Sequence, residues 1–319
     1  MIFLWNKLKE KGVLGINKRN ADFILPYNKR KYYPLVDDKL RTKIIAFKKG
    51  ITVPELYGVI EIHRQIRELE KILENINDFV IKPLHGSGGK GILVIMGNIK
   101  NKFKKTDGRL IALEDIKHHI SNILTGIYSL SGQPDKAIIE YRIKPNKIFD
   151  KISYRGVPDI RTIVFRGIPV MSMLRLPTSM SDGKANLHQG AIGAGINISN
   201  GITTWGVVGN EIIGEHPDTG CAISGITIPE WERCIEIAAE CHGFSGLDYI
   251  GVDIVIDQNH GPMVLELNAR PGLNIQIANK QGLLKRLSLI KSLDQIPTDI
   301  SKRIKIVKQY FSTEQCFRL

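Results

Sequence analysis

The amino-acid sequence predicts an α+β protein whose sheets are antiparallel. Two observations support this: strand-like runs outnumber those that a repeating β-α-β chain would give, and most of them are joined by short turns into hairpins. The 319 residues allow one large domain or two of ordinary size, each able to bury a core.

The first half of the chain alternates predicted helices and strands. A helix begins after Asp38, because Leu40, Ile44 and Phe47 have helical spacing, and it ends at Gly50. The following segments are then predicted in order: an extended segment 52–57, an amphipathic helix 62–73, strands 79–83 and 92–96 around a glycine-rich loop, a basic loop 98–108, a helix 113–128 and a strand 137–143.

The second half contains more strands. Strands over 159–166 and 170–176 turn at Gly167, and the segment 179–210, rich in Gly, Asn and Thr, is predicted to be a mobile loop that closes over a ligand. Thr227 and Glu230 form the pattern of a capping box, which predicts a helix that ends at Gly243. The last thirty-odd residues are predicted to be helical and basic.

The segment from Leu247 to Gly272 is the most informative part of the sequence. It consists of two apolar β-runs joined by a predicted four-residue turn, 258–261, so that paired residues have numbers that add to 519. Asp253 then faces Glu266, and Asn268 lies on the same side of the sheet as Glu266.

Two facing carboxylates repel each other unless a cation lies between them. Mg²⁺ suits such oxygen donors and commonly binds a few carboxylates together with substrate phosphates, so Asp253, Glu266 and Asn268 are predicted metal ligands. The alternative is a surface hairpin with salt bridges, which is disfavoured because neither strand carries Lys or Arg before Arg270.

The composition, with 45 Lys and Arg against 32 Asp and Glu, is that of a globular protein with basic ends. Residues 1–50 carry 13 basic against 4 acidic side chains, and residues 285–319 carry 8 against 3. Such ends suit an acidic partner or are simply solvated; no nucleic-acid-binding motif accompanies them, so nucleic acid is not favoured.

No apolar run is long enough to span a membrane, and Met1–Trp5 is too short for a signal peptide. Cysteines 221, 234, 241 and 316 lack metal-site spacing, which predicts free thiols and a cytoplasmic location.

The glycine-rich loop runs from His85 to Gly91. It contains the pattern G-x-G-x-x-G, but it precedes a strand and not a helix, which excludes a dinucleotide-binding turn. Gly91 follows Lys90 where a P-loop needs Ser or Thr. A flexible flap whose amides cover a polyphosphate remains, and a structural hairpin is equally compatible with the pattern.

Four cationic side chains stand at unusual positions. Lys82 interrupts an apolar strand, and Lys43 lies on the apolar stripe of its helix. Both lysines suit the binding of nucleotide phosphates. Alternatively, their side chains extend along the core and expose the ammonium group to solvent. Arg161 and Arg175 lie on two strands joined at Gly167, opposite or one step diagonal, and suit phosphate or carboxylate, or else are exposed sheet residues.

Seven segments together resemble the ATP-grasp enzymes, and especially RimK-type α-L-glutamate ligases and the sugar-transfer associated ATP-grasp proteins. The resemblance covers roughly residues 33–284. The segments, in order, are DKLRTK at 38–43, VIKP at 80–83, the glycine loop, IEYRI at 139–143, DIR at 159–161, NLHQG at 186–190 and ELNARPG at 266–272.

The resemblance implies an ATP-grasp fold, with two α+β subdomains clasping ATP. It implies a nucleotide site formed by Lys43, Lys82, His85, Gly86, Ser87, Gly88, Gly89 and an adenine hinge of Glu140, Tyr141 and Ile143. It implies two Mg²⁺ ions, with Mn²⁺ as a substitute, on Asp253, Glu266 and Asn268, and it places Arg161, Arg175, Asn186 and Arg270 around the γ-phosphate and the acyl group.

The implied reaction is ATP-dependent ligation, in which a carboxylate becomes an acyl phosphate and an amine then attacks it. An amino acid such as glutamate is the implied carboxylate donor, and a peptide, a protein or an amino-sugar derivative is the implied amine acceptor. Two alternatives stay open: an ATP-grasp kinase that phosphorylates a hydroxyl group, and a nucleotide-binding module without catalysis. No Ser-His-Asp or Cys-His arrangement competes with these readings.

The chain departs from these ligases at its N-terminus, where about forty residues replace a full α/β domain, so that the pre-ATP-grasp region is truncated. Four parts are therefore expected: a basic segment 1–37, an N-terminal ATP-grasp subdomain 38–136, a C-terminal subdomain 137–284 and a basic helical appendage 285–319.

Overall fold

The computed structural model describes residues 7–86, 88–129 and 132–312. The predictions for Met1–Trp5, Ser87 and Cys316 therefore lie outside the described residues. The chain divides into two compact units. We call the larger one, which contains Met1–Asp37, Ile44–Thr52 and Pro145–Leu319, the large unit, and the one that contains Asp38–Lys43 and Val53–Lys144 the small unit.

The small unit is built on a six-stranded antiparallel sheet in the order β1-β6-β2-β3-β4-β5. One helix, Leu113–Leu124, packs on β2 and β6 with the buried face of Ile116, Ile120 and Ile123. The strands are β1 Leu56–Ile60, β2 Phe79–Pro83, β3 Leu93–Ile99, β4 Lys102–Lys105, β5 Leu110–Ile111 and β6 Ala137–Tyr141.

Two sequence predictions for the small unit are wrong. The basic segment 98–108 is not a loop: β3 and β4 form a hairpin whose turn residues, Lys100 and Asn101, both have positive φ angles, as a two-residue turn of this kind requires. The segment 62–73 is not one regular helix, because a 3₁₀ segment, His63–Glu68, precedes a short helix, Leu69–Ile72.

The large unit is built on a seven-stranded antiparallel sheet in the order β11-β10-β9-β8-β7-β12-β13. Its strands β7 and β12 are buried along their whole length. The strands are β7 Asp159–Phe165, β8 Ile168–Leu176, β9 Ile192–Asn197, β10 Ile202–Val208, β11 Glu211–Ile213, β12 Tyr249–Asp257 and β13 Gly261–Asn268.

The hairpin of β12 and β13 places Asp253 opposite Glu266, as the sequence predicts, although the turn differs from the prediction. The loop has three residues, 258–260, and Gly261 already pairs with Asp257 at a φ of 67°. A bulge at Leu265 shifts the register by one residue, so Asp253 still meets Glu266 and Gly251 meets Asn268. The shorter loop and the bulge cancel each other.

The N-terminal segment covers one end of this sheet. Phe23 packs edge to face against Phe165, with ring centroids 5.5 Å apart, and Asn28 exchanges two hydrogen bonds with the backbone of Tyr249 (2.7 and 2.9 Å). Arg19 donates to the Pro271 carbonyl (2.7 Å). The basic character predicted for this segment therefore accompanies a buried apolar side that belongs to the core of the large unit.

The helices, in chain order, are α1 Ile16–Arg19, α2 Leu25–Tyr27, α3 Pro34–Asp37, α4 Lys39–Lys48, α5 Leu69–Ile72, α6 Leu113–Leu124, α7 Trp231–Ser245, α8 Ile275–Ala278, α9 Leu284–Lys291 and α10 Ile300–Phe311. Helix α4 lies where the sequence predicts it. Helix α7 begins without a side-chain cap and ends at Gly246, which has a left-handed conformation, so the predicted capping box at Thr227 and the predicted stop at Gly243 are wrong.

The segment 179–210 is not a single mobile loop, because it contributes β9 and β10 to the sheet. Within the described parts of the chain, no helix combines the length and the apolar character that crossing a bilayer requires. The three described cysteines, 221, 234 and 241, are free thiols.

Candidate functional site

The small unit brings the two predicted phosphate lysines together around one carboxylate. Lys43 comes from α4, and Lys82 and Glu140 come from the paired strands β2 and β6. Lys43 Nζ contacts Glu140 Oε2 and donates to the Pro54 carbonyl (2.8 Å), and Lys82 Nζ lies 2.6 Å from Glu140 Oε1. We call Lys43, Lys82 and Glu140 the lysine cluster.

All three members of the lysine cluster are buried. Burial, reinforced by the charge of Lys82 and opposed by Glu140, lowers the pKa of Lys43 to about 8. Burial alone would raise the pKa of Glu140, but Lys82 and Lys43 together hold it below its ordinary value. Glu140 therefore stays charged at neutral pH, and two ammonium groups with one carboxylate leave one positive charge.

The glycine-rich loop is anchored at its start. The His85 amide donates to Asp135 (2.9 Å), and the His85 ring lies 2.8 Å from the same carboxylate, whose side chain is fully buried. Lys39 donates to the Gly86 carbonyl (2.8 Å). Gly88, Gly89 and Gly91 have φ angles of 62°, 73° and 75°, a backbone conformation that favours glycine. Asp135 and Lys39 were not predicted from the sequence.

The residues predicted to form the adenine hinge lie at the end of β6. This strand runs between β1 and β2, so the backbone of Glu140 and Tyr141 faces a neighbouring strand on each side, and the Tyr141 amide donates to the Glu55 carbonyl (2.8 Å). Ile143 lies two residues beyond the strand. The Glu140 side chain has partners, Lys43 and Lys82, that the sequence did not indicate.

The large unit brings a second set of predicted residues onto one face of its sheet. Asp253 on β12 lies between Glu266 on β13 and Arg161 on β7, and on β8 Arg175 pairs with Asp159. Arg161 and Arg175 are thus one step diagonal, which the sequence left open. We call Asp159, Arg161, Arg175, Asp253, Glu266 and Asn268 the arginine–carboxylate cluster.

Asp253 is held by both arginines. Arg161 donates to it through Nε and through Nη2 (2.6 Å), and Arg175 Nη2 donates to Asp253 Oδ2 (2.6 Å) and to Asp159 Oδ2 (2.8 Å). The argument against salt bridges, that neither strand of the hairpin carries Lys or Arg, is wrong for Asp253, because the neighbouring strands supply guanidinium groups that the hairpin itself lacks.

The two aspartates differ in acidity. Burial would raise the pKa of Asp253, but Arg161 and Arg175 overcome this effect and hold it below its ordinary value. Burial raises the pKa of Asp159, which Arg175 offsets only in part and the charge of Asp253 reinforces. Asp253 is therefore the carboxylate of this pair that keeps its charge most firmly.

Glu266 is the accessible carboxylate of the cluster. It is half-buried, Asn268 Nδ2 donates to its Oε1 (3.2 Å) and lies 3.5 Å from Asp253 Oδ2, and no Lys or Arg of the described residues forms an ion pair with it. The described residues contain no group of three or more His, Cys, Asp and Glu side chains that could hold a metal ion. The third predicted ligand, Asn268, is an amide and so does not count toward such a group.

The donors of the arginine–carboxylate cluster fit a hard divalent cation. Asp253 and Glu266 offer carboxylate oxygens, the donor type that Mg²⁺ prefers. Asn268, which points Nδ2 toward both of them, would offer its amide oxygen after the amide group turns over. Three carboxylates against two guanidinium groups leave one negative charge when all are ionised. The lysine cluster has the opposite surplus, which suits an anion such as a phosphate.

Two further predicted residues lie elsewhere in the large unit. Asn186 accepts a hydrogen bond from the His188 amide (3.0 Å) and caps a short 3₁₀ turn, Leu187–Gln189. Arg270 is exposed, and its guanidinium lies 5.2 Å from the ring centroid of Tyr33. No contact of the described residues joins either side chain to Asp253.

Comparison with known proteins identifies one family. A model of the family described as "Sugar-transfer associated ATP-grasp" matches residues 18–292. A probable α-L-glutamate ligase of Maridesulfovibrio salexigens is 27% identical over 238 residues, which are 74% of this chain and 56% of that protein. The chain thus spans little more than half the length of this curated relative.

Solved structures with a similar arrangement include two enzymes. The crystal structure of a D-cycloserine synthetase is 14% identical, with a TM-score of 0.46, and the match covers 81% of this chain and 70% of that one. A D-alanine–D-alanine ligase from Bacillus anthracis is 16% identical, with a TM-score of 0.43, and the match covers 87% and 70%. The chain is assigned to its family by the family match over residues 18–292, and not by these structural similarities.

Proposed function

Because the chain belongs to the sugar-transfer associated ATP-grasp family and has the ATP-grasp fold, we propose that the protein is an ATP-dependent, Mg²⁺-dependent carboxylate–amine ligase. The observation that carries the proposal is the opposite charge surplus of the two clusters. Phosphoryl transfer needs positioning and charge neutralisation more than a dedicated nucleophile, and the two clusters supply groups of both signs.

In this proposal the lysine cluster binds the nucleotide. Lys43 and Lys82 neutralise phosphate oxygens, and the amides of the glycines that follow His85 cover them, while His85 anchors the start of the loop on Asp135. The hinge of Glu140, Tyr141 and Ile143, at the end of β6, is proposed to read adenine.

The arginine–carboxylate cluster would hold the metal. Asp253, Glu266 and Asn268 offer the ligands, and bound Mg²⁺ would supply charge that stabilises the transferring phosphoryl group. Arg161 and Arg175 hold Asp253 ionised and oriented, so their first role is to prepare this ligand. Together with Asn186 and Arg270, they are also proposed to orient the γ-phosphate and the acyl group.

The proposed reaction has two steps. An oxygen of the substrate carboxylate attacks the γ-phosphorus of ATP, the bond to the β-phosphate oxygen breaks, and ADP leaves. The amine then attacks the carbonyl carbon of the acyl phosphate, inorganic phosphate leaves, and the amine loses a proton to give the amide.

The names of the relatives support a proposal for the substrate class. The curated relative is named as a probable α-L-glutamate ligase, and the family description refers to sugar transfer. We therefore propose an amino acid such as glutamate as the carboxylate donor and a peptide, a protein or an amino-sugar derivative as the acceptor.

The test is a screen for released phosphate. The protein is incubated with ATP and Mg²⁺ and with pairs of amino acids, peptides and amino sugars, and the products are identified by mass spectrometry. A ligase releases phosphate only when donor and acceptor are both present, and yields a product that is lighter than their sum by one water. A phosphorylated product without free phosphate would instead establish a kinase, and the absence of ATP binding would refute both activities.

A further inference from the structure

The buried carboxylate of Glu140 has a geometry that a hinge reading the base through its backbone does not require. Each of its two oxygens contacts one lysine: Oε2 contacts Lys43, and Oε1 lies 2.6 Å from Lys82 Nζ. We propose that Glu140 is a positioning residue that keeps Lys43 and Lys82 charged and aligned for the phosphates of a nucleotide. This inference rests on the proposed function, because it concerns the same nucleotide site.

The three side chains come from elements that fix their positions independently. Glu140 and Lys82 lie on adjacent strands of a sheet, Lys82 opposite Ile138, and Lys43 arrives from helix α4. Lys43 is also tied to the Pro54 carbonyl (2.8 Å). The Glu140 carboxylate contacts both ammonium groups, and it therefore orients the lysine from the helix and the lysine from the strand relative to each other.

Burial makes this counter-charge necessary. The exposed fractions of the Lys43 and Lys82 side chains are 7% and 11%, and that of Glu140 is 4%. Desolvation disfavours an ammonium group, and a second ammonium nearby disfavours it further. Without Glu140, Lys43 would face Lys82 alone, and the favoured response of buried Lys43 would be to lose its proton. A neutral amine gives a phosphate no opposite charge.

The combination of stoichiometry and burial distinguishes the lysine cluster from surface ion pairs of the same unit, such as Asp78 with Arg142 and Lys144, whose side chains are 17–37% exposed. One carboxylate balances one of the two lysines, so the cluster keeps one positive charge for an anion. By contrast, Lys136 and Glu61 in the same unit form a one-to-one pair (2.7 Å) whose members are exposed to 40% and 47%. That pair has no surplus charge and little burial, and it provides a matched control.

The experiment compares Glu140→Gln with the control Glu61→Gln. The titration of the Lys43 amine is followed by NMR in the nucleotide-free protein, and ATP binding is measured by calorimetry from pH 6 to pH 9. In Glu140→Gln, we expect the midpoint of Lys43 to fall by about one pH unit or more, which lowers the fraction of charged Lys43 about tenfold above that midpoint. The decline of ATP affinity with pH should move to lower pH by the same amount, and Glu61→Gln should match the wild type.

An unchanged or raised Lys43 midpoint in Glu140→Gln would overturn the proposal, as would an affinity profile identical to that of Glu61→Gln. If Glu140→Gln does not fold, Glu140→Asp replaces it: the shorter side chain keeps its charge but moves the carboxylate away from Lys43, so the Lys43 midpoint should still fall. A wild-type Lys43 midpoint in Glu140→Asp would also overturn the proposal.

The failure of the proposed function gives a different result. A wild-type protein that binds no ATP refutes the nucleotide site, whereas the lysine titration is recorded without nucleotide and still decides whether Glu140 sets the charge of Lys43.

Discussion

The lysine cluster and the arginine–carboxylate cluster both bury charged side chains, and their net charges have opposite signs when all their groups are ionised. In each, one buried carboxylate lies between two cations: Glu140 contacts Lys43 and Lys82, and Asp253 contacts Arg161 and Arg175. The lysine cluster keeps a positive surplus. The arginine–carboxylate cluster has a negative surplus only while Asp159 is ionised, since burial raises the pKa of that carboxyl to about 7. In the proposed function, the surplus charge of each cluster is opposite in sign to the ligand assigned to it.

The two clusters also differ in the kind of cation. Lysine changes its pKa readily when it is buried, whereas arginine stays charged. Burial lowers the pKa of Lys43 to about 8, while the guanidinium of Arg175 has its pKa raised despite burial, because Asp159 and Asp253 outweigh desolvation. The lysine cluster should therefore respond to pH near neutrality, and the arginines should not.

The largest expected effect is that of Asp253→Asn. The substitution removes the carboxylate that two buried guanidinium groups share, so we expect the free energy of unfolding to fall by about 3–5 kcal/mol, together with ATP turnover. Denaturant unfolding measures the first quantity. A loss below about 1 kcal/mol, the scale of exposed pairs, would show that Arg161 and Arg175 are paired otherwise.

Glu266→Gln separates metal binding from stability. Glu266 is half-buried and its contacts are with an amide, so we expect ATP turnover to be lost while the free energy of unfolding changes by no more than about 0.5 kcal/mol. The control is Glu211→Gln, an exposed carboxylate on the edge strand of the same sheet. Full turnover in Glu266→Gln would remove this residue from the metal site.

The sequence predicts much of this arrangement where the signal is local. The register of Asp253 and Glu266 follows from the β12–β13 hairpin, although the prediction succeeds only because the bulge at Leu265 compensates for a loop one residue shorter than expected. Helix α4, which carries Lys43, lies where the sequence predicts it. However, Ile44 and Phe47, whose spacing predicts it, are exposed. Lys43 lies on the buried side with Thr42 and Ala46. Hairpins and helix boundaries are set by neighbouring residues, and the sequence therefore reveals them.

The partners of these residues depend on distant pairing. Arg161 meets Asp253 because β7 pairs with β12, ninety-two residues along the chain, and nothing in the hairpin indicates this neighbour. Glu140, like Lys82, is a charged residue in an otherwise apolar strand. Two opposite charges at such positions together indicate a buried ion pair. The strands β9 and β10 were missed because their glycines favour loops in isolation and here pack against other parts of the chain.

Lys82→Ala tests the surplus of the lysine cluster. Removing one ammonium leaves Glu140 paired with Lys43, so the fold should persist while ATP binding weakens by about 1–3 kcal/mol, the scale of hydrogen bonds to charged groups. Calorimetry measures the change, and Lys136→Ala, which removes an exposed lysine of the same unit, is the control. Equal affinities in the two variants would contradict a phosphate role for Lys82.

The last prediction concerns the pH dependence that Lys43 confers. Its pKa in the folded protein is about 8, below the value of 10.5 that an exposed lysine has, so the unfolded chain binds more protons between these values. The free energy of unfolding should therefore rise as the pH increases from about 8 towards 10, because the cost of burying the charge disappears. ATP affinity should fall over the same range, because the phosphate loses a cation. Lys43→Met should lack both slopes; if its curves have the same slopes as those of the wild type, Lys43 is not the group that titrates.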